Sequence, residues 1–306
     1  MSNTLLGGAI GDALGMPFER KLINDPLLME WSGENFLASE SHQLKPGQWT
    51  DDSAMQQIVA ESLIQQSTFN PQDLASRYMN WFFSPQSKGA GRTTRLAMEN
   101  LKAGKSWEHS GIVGSIGNGT AMRAAPFGVF YRHDIPMLIQ SVKIDNSITH
   151  ASEEAEAGAL AIALTAAYAA NNDIEDLLKK IIRFLPDTQV KKSIFSLDAM
   201  VHSEHITAEQ ALRLIGTKFD VRETVPAALY CFMKFKDYHS AVVAAIKAGG
   251  DTDTTAAIVG ALFGAKDGLQ GIKAHLISQV EKSDYLIQLD SQLYNRSNTN
   301  YFPLKQ

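Results

Sequence analysis

The sequence predicts an all-α fold, and three observations carry that expectation. Apolar residues recur at helical spacing in segment after segment. Alternating β-branched runs bounded by turns, the mark of half-buried strands, are nearly absent. Several periodic segments also open and close on residues that start and stop helices. The spacing predicts helices over 51–65, 71–83, 93–101, 152–170, 174–184, 208–215, 225–234, 240–247 and 254–263. Asn70-Pro71 sets a capping side chain before a proline at the first helical position. Thr207 and Gln210 form a capping box, and Gly216 stops that helix after Leu214-Ile215. Gly7, Gly11 and Gly15 stand four residues apart, as do Ala256, Gly260 and Gly264. On a helix each set makes a smooth stripe, which predicts two tightly packed central helices.

No Pro/Ser/Gly linker divides the chain, so one domain over 1–306 is expected. The segment 283–306 is rich in Asn, Ser and Gln, and its aromatics Tyr294, Tyr301 and Phe302 suggest a polar extension docked on the surface. With 20% charged and 44% apolar residues the chain has an ordinary globular composition. A net charge of −5 leaves no broad electrostatic footprint for nucleic acid. Cys231, the single cysteine, excludes an intramolecular disulfide framework and fits a reducing compartment; beside Leu229, Tyr230 and Phe232 it reads as a buried structural thiol. The first residues lack the pattern of a signal peptide, and the weakly polar run 157–170 is shorter than the ~20 residues of a membrane span. A cytoplasmic protein without membrane contact is expected.

Chemistry concentrates in two oxygen-rich clusters. Gly249-Gly250-Asp251-Thr252-Asp253-Thr254-Thr255 offers five side-chain oxygen donors in a row, where a helix cap needs one. Thr50-Asp51-Asp52-Ser53 lies about two hundred residues upstream, after the loop signature Pro46-Gly47-Gln48-Trp49. Alone, it reads as a helix start, with Thr50 as cap and two aspartates complementing the helix dipole. Together the clusters read differently. Four carboxylates gathered without cations repel one another, and no Lys or Arg stands beside them in sequence. Two divalent cations that prefer hard oxygen ligands would resolve that repulsion. An EF-hand is excluded, because Ala256-Ala257-Ile258 follows where further ligands belong.

A third segment, Gly114 to Arg123, is a glycine-rich turn that could present backbone N–H groups to phosphate, with Arg123 adding charge. It matches neither the dinucleotide fingerprint nor the P-loop. None of the eight histidines has zinc-site spacing. His150 stands just before a strong helix, a position more often structural than catalytic.

Six segments in order resemble the ADP-ribosylglycohydrolase family, which includes dinitrogenase reductase-activating glycohydrolase and the ADP-ribosylhydrolases. They are Gly8-Ala-Ile-Gly11-Asp12-Ala-Leu-Gly15 leading to Glu19, Trp49-Thr50-Asp51-Asp52, and Gly117-Asn118-Gly119-Thr120-Ala121-Met122-Arg123. Thr149-His150, Val225-Pro226-Ala227-Ala228-Leu229-Tyr230 and Gly249-Gly250-Asp251-Thr252-Asp253-Thr254 complete the set. The resemblance implies a compact all-α fold with a binuclear Mg²⁺ or Mn²⁺ centre. It implies Thr50, Asp51 and Asp52 as one group of metal ligands and Asp251, Asp253 and Thr254 as the other. Glu19 matches an acidic residue that reaches toward the site. The loop comprising Gly117, Asn118, Gly119, Thr120 and Met122 matches a diphosphate cradle, and His150 a position near the ligand. Ser53-Ala54-Met55 and Thr255 depart from the family's usual residues without removing a ligand.

The implied activity is removal of mono-ADP-ribose from a protein side chain, arginine being the favoured linkage, with ADP-ribose as product. Water would attack the anomeric carbon, with Asp52 as general base and Glu19 as the alternative. A non-catalytic ADP-ribose or partner-binding relative, an immunity protein, and a metal-dependent phosphohydrolase are the rival readings. The intact ligand set favours catalysis over a degenerate binder, and the order of the glycine loop and the Asp-Thr-Asp segment argues against the phosphohydrolase.

Overall fold

The structure, a computed structural model, describes residues 2–299; Tyr301 and Phe302 lie outside the described residues. Within them the chain forms 17 α-helices, one 3-10 turn at Met16–Phe18 and no strand. The first third holds α1 (Thr4–Gly15), α2 (Pro26–Glu30), α3 (Asp51–Gln66), α4 (Pro71–Phe82), α5 (Arg92–Lys102) and α6 (Trp107–Ser110). Next come α7 (Ala125–Phe130), α8 (Ile135–Thr149), α9 (Glu153–Ala170), α10 (Leu177–Ile182), α11 (Gln189–His202) and α12 (Ala208–Ile215). The series closes with α13 (Val221–Lys234), α14 (Tyr238–Lys247), α15 (Thr252–Asp267), α16 (Ala274–Gln279) and α17 (Ser283–Thr299). No helix among the described residues is long and apolar enough to cross a membrane.

All nine expected helices are present, with ends shifted by a few residues. Asn70 accepts from the Asp73 N–H at 3.1 Å. The Thr207–Gln210 capping box forms in both directions, at 3.2 and 2.9 Å. Helix α13 starts earlier than expected because Asp220 caps it, its carboxylate accepting from Arg222 N–H, which leaves Pro226 inside the helix. Three long helices, α8, α11 and α17, were not foreseen. Helix α8 opens on Asp134, which caps Met137, with Pro136 in the first turn. Helix α11 buries a continuous stripe of Val190, Ile194, Leu197 and Val201, but the exposed Phe195 off that stripe blurs the pattern in sequence.

Helices α1 and α15 are the antiparallel centre of the molecule, and every residue of α1 is buried. The two glycine stripes explain how they approach. A methyl group added at Gly7 would stand 2.3 Å from the Gly260 carbonyl oxygen, and one at Gly11 only 2.1 Å from that of Ala256. Added at Gly15, it would meet the Thr252 carbonyl at 2.4 Å. Hydroxyls lace the seam, with Thr4 Oγ1 donating to Ala261 O and Thr252 Oγ1 to Gly15 O, both at 2.8 Å. Gly11→Ala should therefore lower stability by at least the ~1–3 kcal/mol of an overpacked core. Thermal melting checks this, and an unchanged midpoint would mean that the seam can open without cost.

The polar segment at the C-terminal end packs more deeply than its composition suggests. As α17 it buries Leu286, Leu289 and Leu293, and it lies against α3, α1 and α7. Asp290 accepts from the Leu5 and Leu6 N–H groups at 2.9 and 3.1 Å, capping α1 from 285 residues away. Burial pushes its carboxyl up to about 8, against the pull of those backbone donors. Tyr294 lies with its ring centroid 3.9 Å from the Arg132 guanidinium.

Candidate functional site

The last turn of α1 is the hub that brings the two oxygen clusters together. Its Gly15 packs on the start of α15, where Asp251 and Asp253 stand. Its Asp12 reaches the start of α3. There both Asp12 oxygens accept from Thr50 N–H, at 3.1 and 3.0 Å, and one accepts from Ser53 N–H at 3.1 Å. The Thr50 and Ser53 hydroxyls also donate to Asp12, at 3.0 and 2.7 Å. Helix α3 is thus capped by a carboxylate from another helix. Thr50 occupies the cap position but makes no capping bond, because its hydroxyl is turned to Asp12 and Asp52.

At α15, Asp251 sits in the cap position without using its side chain as a cap. Gly250, at φ +80°, delivers it there; an added methyl would come within 2.3 Å of the Thr217 carbonyl oxygen. Asp251 N–H donates to that same oxygen at 2.7 Å. Its carboxylate accepts from Asn118 Nδ2, which also donates to Thr224 Oγ1 at 2.9 Å. Spending a glycine to leave a buried carboxylate unused by the backbone is costly unless the carboxylate has other work.

The carboxylates at the starts of α3 and α15 face one cavity of about 280 Å³, with Asp12 buried behind them. Asp51, Asp52, Asp251 and Asp253 line it together with Thr254. Glu19, Arg20 and His42 form one wall, and Gly89, Arg92, Thr93 and Thr94 another. Gly117, Asn118, Gly119, Met122 and His150 line it as well, with Phe219 beside Arg20. Glu19 is paired with His42 and with Arg20 at 3.3 Å. Among the described residues, ligand atoms of Glu19, His42 and Asp253 lie within 4.8 Å of one another.

The electrostatics are those of crowded acids. Burial, then the Asp253 charge, pushes Asp12 up to about 7 and Asp51 up to about 8. Asp52 and Asp251 stand well above the usual carboxylate range, through burial and then the charges of Asp12 and Asp253 respectively. Asp253 is raised by burial and by Glu19. Glu19 goes the other way: burial works to raise it, but the bond from His42 and the charges of His42 and Arg20 outweigh it and hold it low. His150 is pushed down to about 3 by burial and by Arg123, so it is neutral. Asp52 Oδ1 is buried and, among the described residues, has no hydrogen-bond partner. Such an orphaned carboxylate oxygen, among several like charges, suits a hard cation as ligand.

The sequence profile described as ADP-ribosylglycohydrolase matches residues 2–302. The chain belongs to the ADP-ribosylglycohydrolase family. Its members hydrolyse linkages to ADP-ribose. The chain is similar to an uncharacterized protein of Archaeoglobus fulgidus, 30% identical over 95% of each chain. ADP-ribosylarginine hydrolase Tri1 of Pseudomonas putida is 26% identical, over 96% of this chain and 77% of that one. ADP-ribosylhydrolase ARH3 of Xenopus tropicalis is 25% identical, over 88% and 87%. A solved chain from an ADP-ribosylglycohydrolase-related protein complex superposes with a TM-score of 0.80 at 26% identity, covering 96% of both chains.

Of the residues this glycohydrolase sequence singled out, Glu19, Asp51, Asp52, Asp251, Asp253, Thr254, Gly117, Asn118, Gly119, Met122 and His150 all line the one cavity. Thr50 is buried behind it, its hydroxyl on Asp12 and Asp52. Thr120 is turned away, donating to Ala155 O at 3.3 Å. Arg123 does not add charge to the loop's open face. It is wholly buried, bidentate on Asp145 with Nε–Oδ2 at 2.9 Å and Nη2–Oδ1 at 3.2 Å. Cys231 is buried, as its neighbours implied. Sequence reasoning missed Asp12 as the cap of α3, His42 as the partner of Glu19, and the Gly89–Thr94 wall. An acidic residue inside a fully apolar helix was the available signal for Asp12; His42 and the wall had none.

Proposed function

We propose that this glycohydrolase removes mono-ADP-ribose from modified protein side chains, with arginine as the linkage, and depends on two divalent cations, Mg²⁺ or Mn²⁺. The observation that carries the reading is the single cavity lined both by the carboxylates of α3 and α15 and by the glycine loop with His150. The similarity to the relatives named ADP-ribosylarginine hydrolase, from Pseudomonas putida and Serratia proteamaculans, supports the arginine linkage.

Thr50, Asp51 and Asp52 would hold the cations from one side and Asp251, Asp253 and Thr254 from the other. The cations, when bound, supply Lewis acidity toward the ribose hydroxyls and an attacking water. The chain's own residues do the rest. Asp52 is assigned as general base because, among the described residues, its carboxylate is only half engaged: Oδ2 accepts from the Thr50 hydroxyl and Oδ1 has no partner, so one oxygen can serve a cation while the other takes the water proton. Glu19 is the weaker base, held ionised by His42 and Arg20, and it orients the ribose instead. A side chain at Gly117 or Gly119 would crowd His150, an added methyl standing 3.1 and 2.7 Å from its ring, so glycine lets the backbone of the turn that would cradle the diphosphate lie against the imidazole. As the anomeric C–N bond breaks, the guanidine departs and takes up the proton that Asp52 accepted from water, ending as the guanidinium.

The test is a panel of arginine- and serine-linked ADP-ribosyl peptides, with Mg²⁺ and with a chelator. Release of free ADP-ribose from the arginine peptide, lost on chelation and restored by Mg²⁺ or Mn²⁺, is expected. Release unaffected by chelation removes the cations from the mechanism, and preference for the serine peptide removes the arginine assignment. Release of AMP or phosphate would point to phosphohydrolase chemistry instead.

A further inference from the structure

The buried charge network behind His150 decides which of its ring nitrogens carries the proton. Thr149, the last residue of α8, has a hydroxyl with one hydrogen and two lone pairs. Arg123 Nη2 lies 2.9 Å from Thr149 Oγ1, and a guanidinium can only donate, so one lone pair is taken. His150 Nδ1 lies 2.8 Å from the same oxygen. The carbonyl one turn back, Asp145 O, is engaged by Arg123 Nη2 at 3.2 Å, and the Thr149 hydroxyl makes no bond to it. Among the described residues the hydroxyl hydrogen therefore has one acceptor, His150 Nδ1. A bare Nδ1 on a neutral imidazole puts the proton on Nε2.

The rest of the network locks this arrangement. Asp145 fixes Arg123 through both carboxylate oxygens, and Tyr78 OH donates to Asp145 Oδ1 at 3.0 Å. Arg123 Nη1 also donates to Gly119 O at 3.3 Å, so one guanidinium holds both Thr149 and the glycine turn. On the cavity side, the His150 edge carrying Nε2 faces that turn. A methyl group added at Gly117 would stand 3.1 Å from Nε2, and one at Gly119 would stand 3.0 Å from it. No protein group bonds Nε2 among the described residues, although His150 is only 2% exposed.

We propose that Thr149 fixes His150 as the neutral tautomer protonated at Nε2, making His150 a hydrogen-bond donor aimed across the glycine turn at an acceptor oxygen of the ADP-ribosyl group. Arg123 and Asp145 are positioning residues for that donor. The identity of the ligand rests on the proposed function; the tautomer does not.

Long-range proton–nitrogen NMR on the ¹⁵N-histidine-labelled protein reads the tautomer directly, with His150→Gln assigning the resonances. Nδ1 should appear bare and Nε2 protonated. The reverse pattern, or an imidazolium at pH near 7, overturns the proposal. Thr149→Val should lose the fixed tautomer and weaken ADP-ribose binding about tenfold, the scale of one buried hydrogen bond, while Thr149→Ser restores both. A valine variant with the wild-type pattern also overturns it; if that variant fails to fold, the wild-type spectrum still decides. Adding ADP-ribose should move the Nε2 resonance. A matching shift from ribose alone marks a hydroxyl acceptor, and one from pyrophosphate alone a phosphoryl oxygen. Binding without any Nε2 shift overturns the donor role, whereas no binding of ADP-ribose at all counts against the proposed function and leaves the tautomer standing.

Discussion

Asp251→Asn should lower turnover of an ADP-ribosylated peptide by about a hundredfold or more, the scale of losing one electrostatic group aimed at a transition state. The same substitution should leave the chelated protein at least as stable as the wild type. Asparagine is isosteric and still accepts the bond from Asn118, while one of several mutually repelling buried charges disappears. Activity and stability are expected to move in opposite directions, which a merely structural aspartate would not produce. The pH dependence follows the same logic. Asp12 at about 7 and Asp51 at about 8 lie above the ~4 of an unfolded carboxyl, so the folded state holds more protons between those values. Their stabilisation is complete below pH ~4 and is lost as the pH rises through about 8. Melting in chelator at pH ~5 and ~8.5 should show that fall. Added Mg²⁺ should reverse it in the wild type and much less in Asp251→Asn. A chelated wild type that grows more stable toward pH 8.5 would falsify the crowded-acid account.

Arg123→Met should cost about 3–5 kcal/mol, the range for breaking a buried ion pair from one side. Asp145 would keep only the Tyr78 hydroxyl among its side-chain donors, and Gly119 O and Thr149 Oγ1 would each lose a donor. That loss is a large fraction of the ~5–15 kcal/mol that keeps a typical domain folded. Replacing both partners with apolar residues should recover most of it, because neither charge is then stranded. Chemical denaturation of the two single variants and the double variant measures this, and a single-variant loss below ~1 kcal/mol would show that water reaches the pair.

The helices were legible where apolar spacing and caps agreed, as in α3, α4 and α12. They were illegible where one signal failed. Helix α11 exposes Phe195, and α17 hides Leu286, Leu289 and Leu293 within a polar composition. The two aspartate clusters were legible because oxygen donors crowd there beyond any capping need. The physics that joins them was not. Asp12 caps α3 across 38 residues, a relation visible only once α1 lies beside both clusters. Arg123 looked like a phosphate ligand because its partner Asp145, 22 residues away, is separated from it by α7, a turn and most of α8. Sequence locates donors more readily than it locates the groups that use them up.

The long-range caps have a consequence for biosynthesis. Residue 5 finds its cap only when residue 290 arrives, and the glycine seam of α1 waits for α15. A chain closed this way has high contact order, and pairings so distant in sequence slow the search for the native state. While the ribosome is still making the middle of the protein, the apolar first helix, every residue of it destined for burial, has no surface to cover it. That interval favours a holding chaperone, and a truncation before α17 would prolong it indefinitely.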